Sequence, residues 1–413
     1  MHDHAAAPAE TAPETPASGK GRRAALFGAM FLMATSAVGP GFITQTTVFT
    51  AQLGAAFAFA ILISILVDIA VQLNVWRVIG VSGLRAQDLG NKVLPGVGYV
   101  LAALVALGGL VFNVGNIGGT ALGLDALAGI DVKIGGALSA LIAVGVFLSR
   151  RAGAAVDRIV VVLGVVMILL MLYVAFVSKP PVGEALRQSV LPDTVDFLTI
   201  TTLIGGTVGG YITYSGAHRL IDAGLTGQEN VSKISRGSVT GILVTGVMRV
   251  ILFLAVLGVV AGGVALTGAN PAAEAFQAAA GTVGLRLFGV VLWAAAITSV
   301  IGASYTSVSF LATLSPWLGR HRSGVTVAFI LVSTVVYLTL GKAPATLLVL
   351  AGALNGLILP VGLGILLWVV LVRRDLLGGY RYPRSLTCLG LLAWGLTVYL
   401  GWNSLSGIAA LWN

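Results

Sequence analysis

The sequence predicts an all-α integral membrane protein of about eleven transmembrane helices, two inverted sets of five followed by one extra helix. Three observations carry that prediction. The 413 residues are 57% hydrophobic and only 9% charged, with 55 glycines. Apolar runs of roughly twenty residues recur from end to end, each long enough to cross a bilayer. Lys and Arg alternate in density between successive connections, as cytoplasmic and extracytoplasmic loops do. The net charge of +9 therefore marks topology and does not point to nucleic acid. A single cysteine, Cys388, excludes an internal disulfide and any Cys-based metal cluster.

In chain order, residues 1–22 are rich in Ala, Pro, Glu and Thr and read as a disordered tail without a signal peptide. Spans follow at about 24–49, 54–77, 95–121, 134–149, 156–177, 197–217, 237–263, 285–312, 324–340, 344–372 and 385–408. With the tail in the cytoplasm, eighteen of the 24 basic residues fall on the cytoplasmic side. They include Arg77, Arg85, Lys92, Arg219, Lys233, Arg320, Arg322, Arg373 and Arg374. Only Lys133, Lys179, Arg187, Arg286 and Lys342 fall opposite, and Arg249 lies inside a span. The expected orientation is N-terminus cytoplasmic and C-terminus extracytoplasmic, in a bacterial-type inner membrane.

Because five is odd, residues 23–180 (spans one to five) and 181–376 (spans six to ten) would form oppositely oriented repeats, with 377–413 as the added helix. Each repeat opens on an interrupted span. In the first, Gly39-Pro40-Gly41 removes a backbone donor and favours an unwound chain. In the sixth, Gly205-Gly206-Thr207-Val208-Gly209-Gly210-Tyr211 is the counterpart. A break at membrane depth is tolerated only inside protein or along a polar cavity, and carriers bind substrate at such paired breaks. The expected substrate-binding residues are Gly39, Pro40, Gly41, Phe42, Thr44, Gln45, Thr207, Gly209, Gly210 and Tyr211.

The residues also resemble a known family. Ser36-Ala37-Val38-Gly39-Pro40-Gly41, Ala51-Gln52-Leu53-Gly54, Val71-Gln72-Leu73 and Gly80-Val81-Ser82-Gly83 look like the start of the NRAMP divalent-metal transporters. The likeness continues through Gly205-Gly206-Thr207-Val208, Gly302-Ala303-Ser304-Tyr305 and Leu359-Pro360. It implies the LeuT-like form of the inverted-repeat fold, with substrate held mid-membrane between spans one and six. The family's metal ligands do not carry over. Where metal-transporting members read Asp-Pro-Gly-Asn, this chain reads Gly39-Pro40-Gly41-Phe42; where they read Met-Pro-His, it has Gly209, Gly210 and Tyr211. On the proton path of the third span, Asn113 and Asn116 stand for an Asp and a Glu, and an amide does not titrate.

Without carboxylate, imidazole or thioether, the pocket is a poor one for manganese or iron. Freed carbonyls with Thr and Tyr hydroxyls suit a hard or hydrated cation better. The alternative cargo is a small organic acid or amino-acid-like solute, whose carboxylate would take the exposed N–H groups at a half-helix N-terminus. A rival from another class is a membrane sensor or assembly subunit that has lost its site and moves nothing. Asp68 and Arg249 lie mid-span in different repeats, where an ionisable group is a functional candidate. With Asn113, Asn116 and Asn355 they form the coupling or gating set, Asp68 as a proton carrier. His218 reads as a membrane-edge anchor. No enzyme motif is present, no organic cofactor is expected beyond a transported cation or coupling ion, and the partners are lipid and a small substrate, without nucleic acid.

Overall fold

The computed structural model describes residues 37–412, and the side chains of all of these except 150–161. The tail and the start of the first span lie outside the described residues. Helix α1 runs Pro40–Leu53 and α2 Phe57–Ser82, joined by a 3-10 turn. A short α3 (Ala86–Val93) leads to α4 (Val97–Ala128), α5 (Val132–Leu148) and α6 (Arg150–Ser178). Beyond α7 (Val182–Val190), the sixth span comes as two pieces, α8 (Phe197–Val208) and α9 (Ile212–Asp222). Then follow α10 (Val231–Ala261), α11 (Pro271–Leu311), the single turn α12 (Pro316–Arg320), α13 (Arg322–Leu340), α14 (Pro344–Leu371) and α15 (Arg384–Trp412). The described residues contain no strand.

The ends of these helices follow from local chemistry. Pro40 takes the first helical position, where its missing N–H costs nothing. The Asp131 and Asp196 side chains accept backbone N–H groups at the starts of α5 and α8, as N-caps should. Asn270 does the same for α11 and moves the start of the eighth span back from the expected 285 to Pro271. That helix is not straight: at Gly281 the backbone turns to φ 62° and ψ −160°.

Seven described helices are long and apolar enough to cross a membrane, eight if the bent pair α6–α7 counts as one crossing. The expected eleven is not reached by that measure, for identifiable reasons. The sixth span is cut into pieces of 12 and 11 residues, and α5 has only 17. Spans one and two merge into one continuous apolar stretch, Pro40–Ser82. Helices α4, α11, α14 and α8 pack closely at the centre through small residues, as membrane helices do. A Cβ on Gly205 of α8 would strike the backbones of Gly352 and Gly356 in α14. Trp317, Trp368, Trp394 and Trp402 lie exposed on the outside, whereas Trp293 is half-buried and donates to Ser139 Oγ at 2.9 Å.

Candidate functional site

The chain is non-helical at Val38 and Gly39, where Gly39 lies extended at φ −102° and ψ −170°. In the sixth span, Gly209 is extended (φ −79°, ψ 165°) and Gly210 takes φ 53°, which only glycine adopts without strain. The two interruptions meet around Asn116. Its Oδ1 would lie 4.0 Å from a Cβ on Gly39, and its side chain meets the Tyr211 phenol. Phe112, one turn earlier on α4, packs edge-on against Tyr211 with ring centroids 5.7 Å apart. Ser299 of α11 closes the other side, its Oγ 2.7 Å from the same Gly39 position. Ser299 and Ser307 were invisible at the level of sequence, since serines are ordinary in apolar helices.

Polar side chains here fall into two sets. One spends its donors on packing, while Gln45 Oε1, Asn113 Oδ1 and Asn355 Oδ1 keep no partner. Thr46 donates to Phe42 O (2.7 Å), Thr47 to Ile43 O (3.0 Å) and Thr207 to Leu203 O (2.9 Å), each a bond back to its own helix. Gln45 donates to Leu348 O at 2.9 Å and fills a notch left by Gly206 and Gly352. Asn355 donates to Ala351 O (2.8 Å) and Gly108 O (3.0 Å), tying α14 to α4, and its Oδ1 presses on Gly210. Asn113, on the same helix as Asn116, turns to Ser304 and Ser333, each at 3.0 Å. Thr213 of α9 donates to Gln72 Oε1 at 2.7 Å, and Trp76 Nε1 to Thr213 O at 3.0 Å, which fastens the second half of the sixth span to α2. Thr44, Pro40 and Gly41 are buried at the start of α1.

The other set has polar atoms to spare. Asn116 Nδ2, Ser299 Oγ, Ser307 Oγ, Asp68 Oδ1, and Arg249 Nε and Nη2 are buried with no hydrogen-bond partner in the protein. Such atoms are uncommon in folded proteins and ask for a ligand, an ion or water. Asp68 and Arg249, 1% and 2% exposed, come from α2 and α10 into one region. The carboxylate feels the field of the guanidinium and lies beside Thr207 at the end of α8. They do not touch: among the described residues neither takes part in an ion pair. The guanidinium instead lies over the ring of Phe42, 4.5 Å from its centroid. It thus stacks on the first turn of α1, three residues past the break. The described residues include no group of three His, Cys, Asp or Glu able to hold a metal ion.

This geometry can be set beside known proteins. The profile of the Nramp family, natural resistance-associated macrophage protein-like, matches residues 30–406. The chain belongs to the Nramp family. The uncharacterized membrane protein YcsG of Bacillus subtilis is 54% identical over 367 residues, 89% of this chain and 90% of its own length. A Haemophilus influenzae membrane protein is also 54% identical, over 362 residues, 88% of this chain and 91% of its own. Among solved structures, the manganese transporter of Eremococcus coleocola superposes with a TM-score of 0.75 at 18% identity, covering 97% of this chain and 90% of that one. MhsT, solved with L-phenylalanine, superposes at 0.65 and 16% identity, covering 94% and 100%. The Nramp chain described here therefore has the LeuT-like fold and is a multi-pass membrane protein.

Proposed function

We propose that this Nramp-family chain is a secondary transporter of a small organic solute bearing a carboxylate, held mid-membrane where the two interrupted spans meet. The observation that carries this reading is Arg249: a buried guanidinium with two unpartnered nitrogens, Nε and Nη2, stacked on the first turn of a broken helix. A carboxylate is the ligand that guanidinium geometry matches best. Asp68 Oδ1, an unpartnered acceptor in the same region, suits an amine or amide N–H on the same solute. A buried cation beside the breaks opposes a divalent ion, and the family's usual ligands are absent. The same fold holds an amino acid in MhsT, which supports the reading. On this view the protein sits in the inner membrane with its N-terminus in the cytoplasm. The segments 23–180 and 181–376 then act as the two repeats, and Asp68 carries the coupling proton.

A second reading has one observation in its favour. Asp68 Oδ1, Asn113 Oδ1, Ser299 Oγ and Ser307 Oγ are oxygen atoms without partners, which suits a hard cation such as magnesium. Reconstituted proteoliposomes separate the alternatives. Labelled small carboxylates and amino acids should accumulate, with Arg249→Gln losing about thirtyfold or more in apparent affinity. Arg249→Lys, which keeps charge but loses the fork, should fall between. Uptake of magnesium or manganese, undiminished by Arg249→Gln, would replace the first reading by the second. Movement of nothing under any gradient would leave the non-transporting sensor.

A further inference from the structure

Four of the residues that read as topology signals or membrane-edge anchors, namely Arg85, Arg219, Arg322 and His218, converge in three dimensions. They line a cavity of about 230 Å³ with Asp222 and Tyr305, between α9, α11 and the start of α13. Three guanidinium groups face one carboxylate there. Asp222 is already committed to Arg85 at 2.7 Å, which leaves the cavity with excess positive charge. Arg322 stacks on Tyr305, 4.2 Å from the ring centroid, and its buried Nε has no hydrogen-bond partner.

His218 decides what the cavity wants. It is 4% exposed and packs against the rings of Tyr214 and Phe310, which also touch each other. Its Nε2 is the acceptor side of a long contact with the Ala86 N–H, 3.5 Å, an arrangement that favours the neutral tautomer with its proton on Nδ1. Nδ1 is buried and has no partner. The cavity thus offers two unpartnered donors, Nδ1–H of His218 and Nε–H of Arg322, amid surplus arginine charge. Arginines that only set topology face headgroups and water, as Arg219 does; Arg322 instead keeps a buried Nε–H at the cavity. An oxyanion suits such donors and the surplus arginine charge, whereas a cation would meet three like charges.

We infer that the cavity between α9, α11 and α13 is a binding site for a small oxyanion, a carboxylate or a phosphate. Ser215, His218 and Asp222 lie four, seven and eleven residues past Tyr211, on one face of α9. The site therefore lies on the helix face that leads away from the sixth-span break, at the basic-rich end of the molecule. It rests on its own residues and does not depend on what is carried at the breaks.

Isothermal titration of the full-length purified protein with inorganic phosphate and with acetate, at constant ionic strength against a chloride blank, tests it. Saturable binding of either anion is expected, and the anion that binds identifies its source. Arg322→Gln should weaken that binding about tenfold or more, and Arg322→Lys by less. His218→Gln keeps a neutral donor and should stay within about threefold. If Arg322→Gln does not elute as folded protein, the exposed Arg219→Gln takes its place, with a loss of about threefold expected. Arg249→Gln should leave the phosphate isotherm unchanged even where it abolishes solute uptake. Binding no stronger than the chloride blank would overturn the proposal. So would binding that Arg322→Gln and Arg219→Gln leave untouched, or phosphate binding that vanishes in Arg249→Gln.

Discussion

The sixth span parts at Gly209–Tyr211 without any proline, whereas the tenth carries Pro360 and runs unbroken from Pro344 to Leu371. Proline removes a donor and crowds the carbonyl four residues back, so the tenth would be the natural place for a break. What differs is the neighbourhood. In the tenth, residue 356 is glycine, which leaves room near the ring, and the Pro360 carbonyl accepts from Trp394 Nε1 at 2.9 Å. In the sixth, α8 touches α14 backbone to backbone at Gly205, Gly352 and Gly356. A further helical turn would run into Asn355, whose amide is fixed by its bonds to Ala351 and Gly108. The chain extends at Gly209 and swings into positive φ at Gly210 instead. In this membrane interior, a helix stops where its neighbour leaves no room, and a helix-breaking residue survives where its neighbour fits it.

The largest effect should come from Gly210→Val, which combines a β-branched side chain with positive φ and a collision with Asn355. A loss of about 3 kcal/mol or more is expected, read as a collapse of the folded yield or of the thermal midpoint in detergent. A wild-type midpoint would show that the break does not need its glycine. Next comes Asn355→Leu, which keeps the volume but removes the donor that ties α14 to the Gly108 carbonyl. It should cost about 1–3 kcal/mol by the same melting measurement, and a neutral result would remove Asn355 as the obstacle that ends α8. Trp394→Phe removes the donor to Pro360 and should cost about 0.5–1.5 kcal/mol. Smallest of all, Pro360→Ala should change stability by less than about 1 kcal/mol, because α14 is already helical on both sides. A large gain in that variant would mean the tenth span is strained after all.

Much of the fold was legible because its signal is long and redundant. A twenty-residue apolar run survives errors of a few residues, and Pro40 between two glycines marks the start of α1 directly. The pieces that escaped are short: α3, α7 and the extra turns of α11 from Pro271 have no apolar run to announce them. The site divides similarly. Asp68 and Arg249 stood out as charges in apolar segments, yet that they share one region depends on how α2 and α10 pack. Asn113 and Asn116 looked equivalent three residues apart, but one turns to Ser304 and Ser333 and the other to the breaks. Arg85, Arg219 and Arg322 lie on three separate connections, and only the folded chain brings them to one cavity.

Gln45 has a consequence of its own. One amide, wedged against Gly206 and Gly352 and bonded to Leu348, ties the first rod to the tenth and packs on the sixth. Prying those rods apart would strand its donor in a dry interior. If the proposed transport holds, opening between these three rods carries that cost, and seams elsewhere in the bundle are the easier ones to part.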